Sequence, residues 1–396
     1  MWSGRTVAVT ASLLAAALLV TTGCSSPSGE QVPPRAPAKD APPVAKLAIT
    51  PVNGTKKVAP DTEVAVKATA GKVTKVTVAD AKGRAVEGAV DADGMWRPRW
   101  SLRPSTTYTV NASATGTDGK EVTGSATFTT LKPKRVLETG MAPLNGEKVG
   151  VGMPVQLLLS KPVASAQDRA AVERSLEVRM SEPVEGAWSW VSDREVQFRP
   201  REYWPVGQKV TVIAHLAGVR AGNGLWGDQN RKASFTVGDE HITKISGRTH
   251  KAVVRKNGKV VRTIPVSLGK PGDDSWSGTM IAQEKSPSVL MDSATIGRPG
   301  LYRTNTKWNV RMTYSGMFFH AAPWSTGSQG HSNVSHGCVN ASMGNARWFY
   351  NFTQRGDIIQ VTGTSRKLKF GNGPTPWVKT WKQWLAGSAV GTSVNG

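Results

Sequence analysis

A four-residue turn signature, Pro-x-Asn-Gly, occurs twice, at Pro51-Val52-Asn53-Gly54 and again at Pro143-Leu144-Asn145-Gly146, each time ahead of short Val- and Thr-rich runs. Asn-Gly supplies the left-handed backbone that tight turns require, and a turn repeated with its flanking strand pattern signals one supersecondary unit built twice. Behind the first turn, Lys72-Val73-Thr74-Lys75-Val76-Thr77-Val78 alternates with the period of a half-buried strand. Trp96, Trp100, Tyr108 and Phe128 are the expected core anchors of this unit. Behind the second turn, Val155-Gln156-Leu157-Leu158-Leu159, Trp188-Ser189-Trp190 and Lys209-Val210-Thr211-Val212-Ile213 read as strands, and Phe235-Thr236-Val237 parallels Phe128-Thr129-Thr130.

The predicted fold class is therefore mainly β. Two immunoglobulin-like sandwiches are expected in series, over 44–131 and 132–239. At 396 residues the chain has room for a further domain, and over 240–363 the loops lengthen and the unusual polar residues gather. A C-terminal segment, 364–396, carries Trp377, Trp381 and Trp384 at helical spacing; this aromatic face is expected to dock on the 240–363 domain.

Met1 to Arg5 is a short basic stretch and Val7 to Val20 an apolar one too short to span a bilayer. It ends in Thr21-Thr22-Gly23-Cys24, which resembles a bacterial lipobox, with Thr21 where Leu is commonest. Residues 1–23 are thus expected to be a signal peptide, Cys24 a lipidated first residue, and 24–43 a flexible tether holding the protein on the outer face of the membrane. The formal charge of +22 comes from Lys and Arg spread along the chain, with no basic run interleaved with stacking aromatics. That pattern argues against nucleic acid and for anionic surfaces such as teichoic acids or acidic lipid head groups; a monomer is expected.

Two cysteines, Cys24 and Cys338, stand in settings too different for a disulfide. Cys338 follows Ser335-His336-Gly337, and His320 ends the strand-like run Met312 to Phe319. A lone thiol beside imidazoles is a candidate nucleophile, with His320 or His336 able to take its proton. Gly337 permits an unusual backbone angle, so that the amides of Gly337 and Cys338 are expected to form an oxyanion hole. A helix from Met343 to Gln354, capped by Ser342 or Asn340, would add its positive dipole end. His320, His331, His336 and Cys338 are also zinc-type residues, but His-x-Cys fits no common zinc module, and no metal or cofactor is expected.

His320 followed by Ser335-His336-Gly337-Cys338-Val339-Asn340 resembles the signature of the L,D-transpeptidase catalytic domain (YkuD type). Tyr302, Met291, Ser315-Gly316 and His320-Ala321-Ala322-Pro323-Trp324 look like counterparts in its actinobacterial and mycobacterial branch, which carries two immunoglobulin-like domains. The resemblance implies a cell-wall acyltransferase in which Cys338 attacks a stem tetrapeptide, expels D-Ala and passes the acyl group to an acceptor amine. It implies His320 as base, oriented by a main-chain carbonyl, and His336 in support. Substrate contacts at Tyr302, Ser315, Gly316, Ser335 and Asn340, a lid over 321–334 hinged at Gly327 and Gly330, and acylation by carbapenems are implied as well. Strict alternation would put Ser315 on the face opposite His320 unless the strand bulges. A hydrolytic peptidase sharing the acyl-enzyme, and a non-enzymatic wall-binding lipoprotein, are the competing readings.

Overall fold

A computed structural model describes residues 44–395; the expected signal peptide, Cys24 and tether lie outside the described residues. Among those described, no helix is long and apolar enough to cross a membrane.

The two Pro-x-Asn-Gly turns close in the same way. Asn53 Oδ1 accepts from the Thr127 N–H at 2.8 Å while the Gly54 N–H donates to the Thr127 carbonyl at 2.7 Å. In the second unit Asn145 Oδ1 accepts from Ser234 N–H at 3.0 Å and Gly146 N–H donates to the Ser234 carbonyl at 2.7 Å. Both glycines have φ near +80°, which a side chain would oppose. The turn therefore ties the first strand of each unit to its last, and its recurrence is a structural repeat.

In the first unit a sheet ordered Lys46–Thr50, Ala65–Thr69, Trp96–Pro98, Gly88–Val90 faces another ordered Gly71–Asp80, Thr107–Gly116, Glu121–Thr129. Val64, Val66, Trp96, Tyr108, Val110 and Phe128 fill the space between. Trp100 does not join that core. It leaves the sheet and stacks on His215 of the second unit, centroids 3.9 Å apart and planes within 7°. Strand periodicity could not assign it, because the residue lies beyond the end of its strand, where a neighbouring unit decides burial.

The second unit pairs a five-stranded sheet around Val155–Leu159 and Glu195–Pro200 with a four-stranded one around Lys209–Ala214 and Arg231–Val237. Trp188, Phe198, Trp204 and Phe235 occupy its core. A helix over Ala166–Arg174, which strand patterning did not foresee, begins where the Ser165 hydroxyl accepts from the Asp168 N–H.

The 240–363 region contains two sheets. One is ordered Lys259–Pro265, Lys251–Lys256, His241–Ser246, Ile358–Thr362, Gly278–Ile281; the other is ordered Glu284–Asp292, Arg303–Arg311, Phe318–Ala321, Val339–Ala341. Asn340 joins them by exchanging main-chain hydrogen bonds with Ser267 at 2.9 and 3.0 Å. This region abuts the second unit closely: Gly150 and Gly152 donate to the carbonyls of Arg355 and Gly356, and a Cβ on Gly150 would lie 2.3 Å from the Asp357 nitrogen. Arg355 closes the seam with a two-point contact to Glu147 at 2.7 and 2.8 Å.

The C-terminal segment was expected on the 240–363 domain, but its aromatic face docks on the second unit. Its helix is short, Trp381–Leu385, and Trp377 belongs to a preceding turn of 3-10 helix. All three tryptophans surround the guanidinium of Arg199, at 4.6, 5.3 and 5.2 Å. Arg199 is 2 % exposed and its buried head donates to the carbonyls of Pro200, Arg201 and Lys379. Burial lowers its pKa to about 10. A desolvated guanidinium attracts aromatic faces strongly, which is why the tryptophans choose this partner. Val394–Asn395 then adds an edge strand to Glu185–Ser192, while Val378 rests on the core of the 240–363 region.

Candidate active site

Cys338 and His320 approach through strand pairing. Phe318–Ala321 runs parallel to Val339–Ala341 with His320 opposite Asn340. Paired residues in a parallel ladder project from one face, and Cys338 lies two positions before Asn340, so imidazole and thiol share that face. His320 is 4 % exposed. Its Nδ1 lies 2.9 Å from the Ala321 carbonyl oxygen, and a carbonyl can only accept, so Nδ1 carries the proton and Nε2 presents a lone pair. Burial lowers the pKa of the ring, opposed by that hydrogen bond, which keeps the imidazole neutral. The residue at 321 acts through its backbone, so alanine serves there.

The Cys338 thiol, half-buried, donates to the Gly316 carbonyl at 3.6 Å. Burial pushes its pKa up to about 11, against the Phe318 amide and the Arg311 charge. At rest the thiol and the imidazole, which line one cavity, are therefore both neutral.

The loop that carries Cys338 is held by hydrogen bonds of its own. Gly337 sits at φ +124° and its carbonyl accepts from the Ser275 hydroxyl at 2.8 Å. The Ser335 hydroxyl donates to the Cys338 carbonyl at 2.6 Å and accepts from the Gly337 N–H at 3.1 Å. Ser335, expected to contact substrate, thus spends its hydroxyl on shaping the loop, and the Gly337 amide, expected in an oxyanion hole, is already engaged. The Cys338 N–H has no partner among the described residues.

The expected help from a helix dipole is absent. The helix is Met343–Phe352 with Ser342 as its cap, and strand Val339–Ala341 intervenes. Four extended residues place its first turn roughly 13 Å from Cys338, beyond the reach of a terminal dipole.

Ser315 and Gly316 lie in a turn ahead of the strand, so the alternation that set Ser315 on the wrong face does not apply to it. The Ser315 hydroxyl accepts from Trp276 Nε1 at 3.0 Å and from Asn372 Nδ2 at 2.9 Å, and Gly316, at φ +88°, offers its carbonyl to the thiol. Asn340 is 3 % exposed; its amide nitrogen donates to the Ser325 hydroxyl at 3.1 Å while Oδ1 has no partner. Tyr302 stacks obliquely near His336, centroids 5.2 Å apart, and His336 lies exposed at the rim with Nε2 3.5 Å from Lys270 Nζ. His331 is on an exposed turn.

Two cavities meet at Cys338, of about 990 and 490 Å³, and Met291, Tyr302, His336 and Cys338 line both. The hairpin of Glu284–Asp292 and Arg303–Arg311 lines both, and Trp324, Ser325, Ser328 and Val334 of the 321–334 segment expected to be a lid line the smaller one. That segment is tied to its surroundings: Gly330 N–H donates to the Val266 carbonyl, and Asn333 bonds His250, Leu268 and Gly247, while Gln329 Nε2 donates to the Ala322 carbonyl within it. Gly327 does not adopt the positive φ that Gly330 does. The sequence reading also missed Asp273, which meets Arg298 and Lys270 at the cavity rim.

Residues 241–361 match the L,D-transpeptidase catalytic domain, and residues 55–220 match a bacterial Ig domain. L,D-transpeptidase 2 of Mycobacterium tuberculosis (strain CDC 1551 / Oshkosh) is 39 % identical over 352 residues, 87 % of this chain and 85 % of the relative. The chain belongs to the L,D-transpeptidase family. Another family member, L,D-transpeptidase 5 of M. tuberculosis (strain ATCC 25618 / H37Rv), is 33 % identical over 361 residues, 89 % of this chain and 79 % of its own length. The solved complex of the L,D-transpeptidase LdtMt1 with imipenem superposes with a TM-score of 0.50 at 37 % identity, covering 58 % of this chain and all of that one. The mainly β architecture of this L,D-transpeptidase, with Ig-like units ahead of the catalytic domain, agrees with the sequence reading.

Proposed function

We propose that this enzyme cross-links peptidoglycan by a two-step acyl transfer through Cys338. In the first step the Cys338 sulfur attacks the carbonyl between the L- and D-centres of a stem tetrapeptide as His320 Nε2 takes the thiol proton. The C–N bond breaks, the nitrogen recovers that proton from His320, and D-Ala leaves while the acyl group stays on sulfur as a thioester. In the second step the side-chain amine of an acceptor stem attacks the thioester and its proton passes to His320; as the C–S bond breaks, His320 returns that proton to the sulfur and the thiol is regenerated.

The reading rests above all on the Nδ1 bond from His320 to Ala321, which fixes the tautomer that aims a basic nitrogen from the face Cys338 occupies. The unclaimed Cys338 N–H serves the oxyanion, Asn340 Oδ1 accepts a substrate N–H, and Tyr302 and Gly316 bound the donor path. His336, exposed beside Lys270, supports the rim rather than taking the thiol proton. Gly337 and Ser335 shape the loop. In mature protein Cys24 carries the lipid that holds the enzyme outside the membrane, and the basic surface meets anionic wall polymers.

Mass spectrometry of muropeptides incubated with the soluble protein tests this. Dimers that have lost one D-Ala, absent with Cys338→Ala, are expected; trimmed stems without dimers would mean hydrolysis instead. A single carbapenem adduct on Cys338 is expected by intact mass. Cys24→Ser should release the protein from the membrane fraction.

A further inference from the structure

Across the nucleophile loop from His320 stands a charge cluster that the two acyl-transfer steps leave unused. A Cβ added to Gly337 would lie 3.6 Å from the Asp273 carbonyl oxygen, so residue 273 abuts the residue before the nucleophile. The Asp273 side chain is 7 % exposed and meets two cations, Arg298 Nη1 and, at 3.7 Å, Lys270 Nζ. Arg298 holds the Asp273 carboxyl below its usual range.

Two cations therefore share one carboxylate, and both keep about half their surface open, 48 % for Arg298 and 47 % for Lys270. A guanidinium has five N–H donors in one plane; Asp273 takes one of them at Nη1, which orients the plane and leaves the others open. Arg298 lines the larger cavity together with Tyr302, Gly337 and Cys338. Its own backbone is fixed: Arg298 N–H donates to the Ser293 carbonyl at 3.0 Å, and the buried Ser293 hydroxyl accepts from Leu301 and Tyr302 at 3.1 and 3.2 Å. The hairpin tip is thus built to deliver a cation into the cavity beside the thiol.

We propose that Arg298, oriented by Asp273 and assisted by Lys270, receives the free carboxylate of the donor's terminal D-residue and so makes the enzyme specific for a chain end. This rests on the donor chemistry proposed above. The carboxylate of the residue to be expelled is separated from the scissile nitrogen by a single Cα, within about 4 Å. In a pose that presents the scissile carbonyl to Cys338, that negative charge falls into the same cavity. A donor continued by a further peptide bond has no charge there and leaves the guanidinium facing a neutral amide. An Arg–carboxylate pair is charge-assisted and directional, so the discrimination is large.

The test compares two tetrapeptide donors on the full chain, one ending in D-Ala carboxylate and one in D-Ala carboxamide, by kcat/KM for release of the terminal residue. The wild type should favour the carboxylate by about ten- to a hundredfold. Arg298→Gln should bring that ratio close to one by slowing the carboxylate donor alone, Arg298→Lys should retain part of it, and Lys270→Gln should reduce it less. Because the ratio is taken within each protein, partial misfolding of a variant cancels. A wild-type ratio near one, or Arg298→Gln slowing both donors equally as loss of a mere hairpin latch would, overturns the proposal. A wild type that expels neither terminal group overturns the functional reading, and this subsite with it.

Discussion

The pH dependence of Cys338 alkylation tests the electrostatics of the site directly. Burial raises the thiol from an ordinary 9.0 to about 11, an added ionisation cost of about 2.7 kcal/mol. The sign follows from the charged form being the thiolate: taking it out of water disfavours it, and His320, itself held neutral by burial, supplies no compensating cation. At pH 7 only about one molecule in ten thousand carries a thiolate. Iodoacetamide, a neutral reagent that reacts with thiolate, should therefore label Cys338 about a hundredfold faster at pH 9 than at pH 7, with no plateau below pH 10. The assay is intact-mass kinetics in a Cys24→Ser background, where Cys338 is the only thiol. A preformed thiolate–imidazolium pair would give a rate nearly flat from pH 7 to 9. A plateau in that interval would refute the neutral-pair reasoning and make proton transfer precede substrate binding.

Other outcomes follow from named contacts. His320→Asn places an amide N–H where Nδ1 donates to the Ala321 carbonyl but offers no base, so acylation by the tetrapeptide donor should slow by about a hundred- to ten-thousandfold in single-turnover measurements. Gly337→Ala meets only ordinary contact at Asp273, yet must hold φ +124°, at a cost of about 1–3 kcal/mol; it should acylate at least tenfold more slowly while its thermal midpoint falls by roughly 3–10 °C. Arg199→Ala removes three hydrogen bonds to carbonyls and the contacts to three tryptophans. It should destabilise the second unit by about 3 kcal/mol, seen as a midpoint lowered by roughly 10 °C in calorimetry, with proteolysis first attacking the C-terminal segment.

Much of this protein was legible from local pattern. Alternation and turn residues are properties of neighbouring positions, so the β class, the repeated Pro-x-Asn-Gly turn and the strand at Lys209–Ala214 could be read from the sequence. Cys338 and His320 could be singled out for a different reason: few residue types perform nucleophilic and base chemistry, and a chain with two cysteines offers little choice.

Contacts between distant positions were closed to that reading. Trp100 looked like a core residue until His215 lay beneath it, and the three C-terminal tryptophans gave no sign that Arg199 was their partner. Ser335 and Gly337 satisfied each other, removing an amide from the oxyanion hole, and the 284–311 hairpin proved to line both cavities at Cys338. Periodicity reports which face of a strand or helix is apolar, but not which element covers it. That choice is made when burying area, pairing charges and satisfying hydrogen bonds are solved together across the whole fold, and it is what brings Asp273, Arg298 and Cys338 around one cavity.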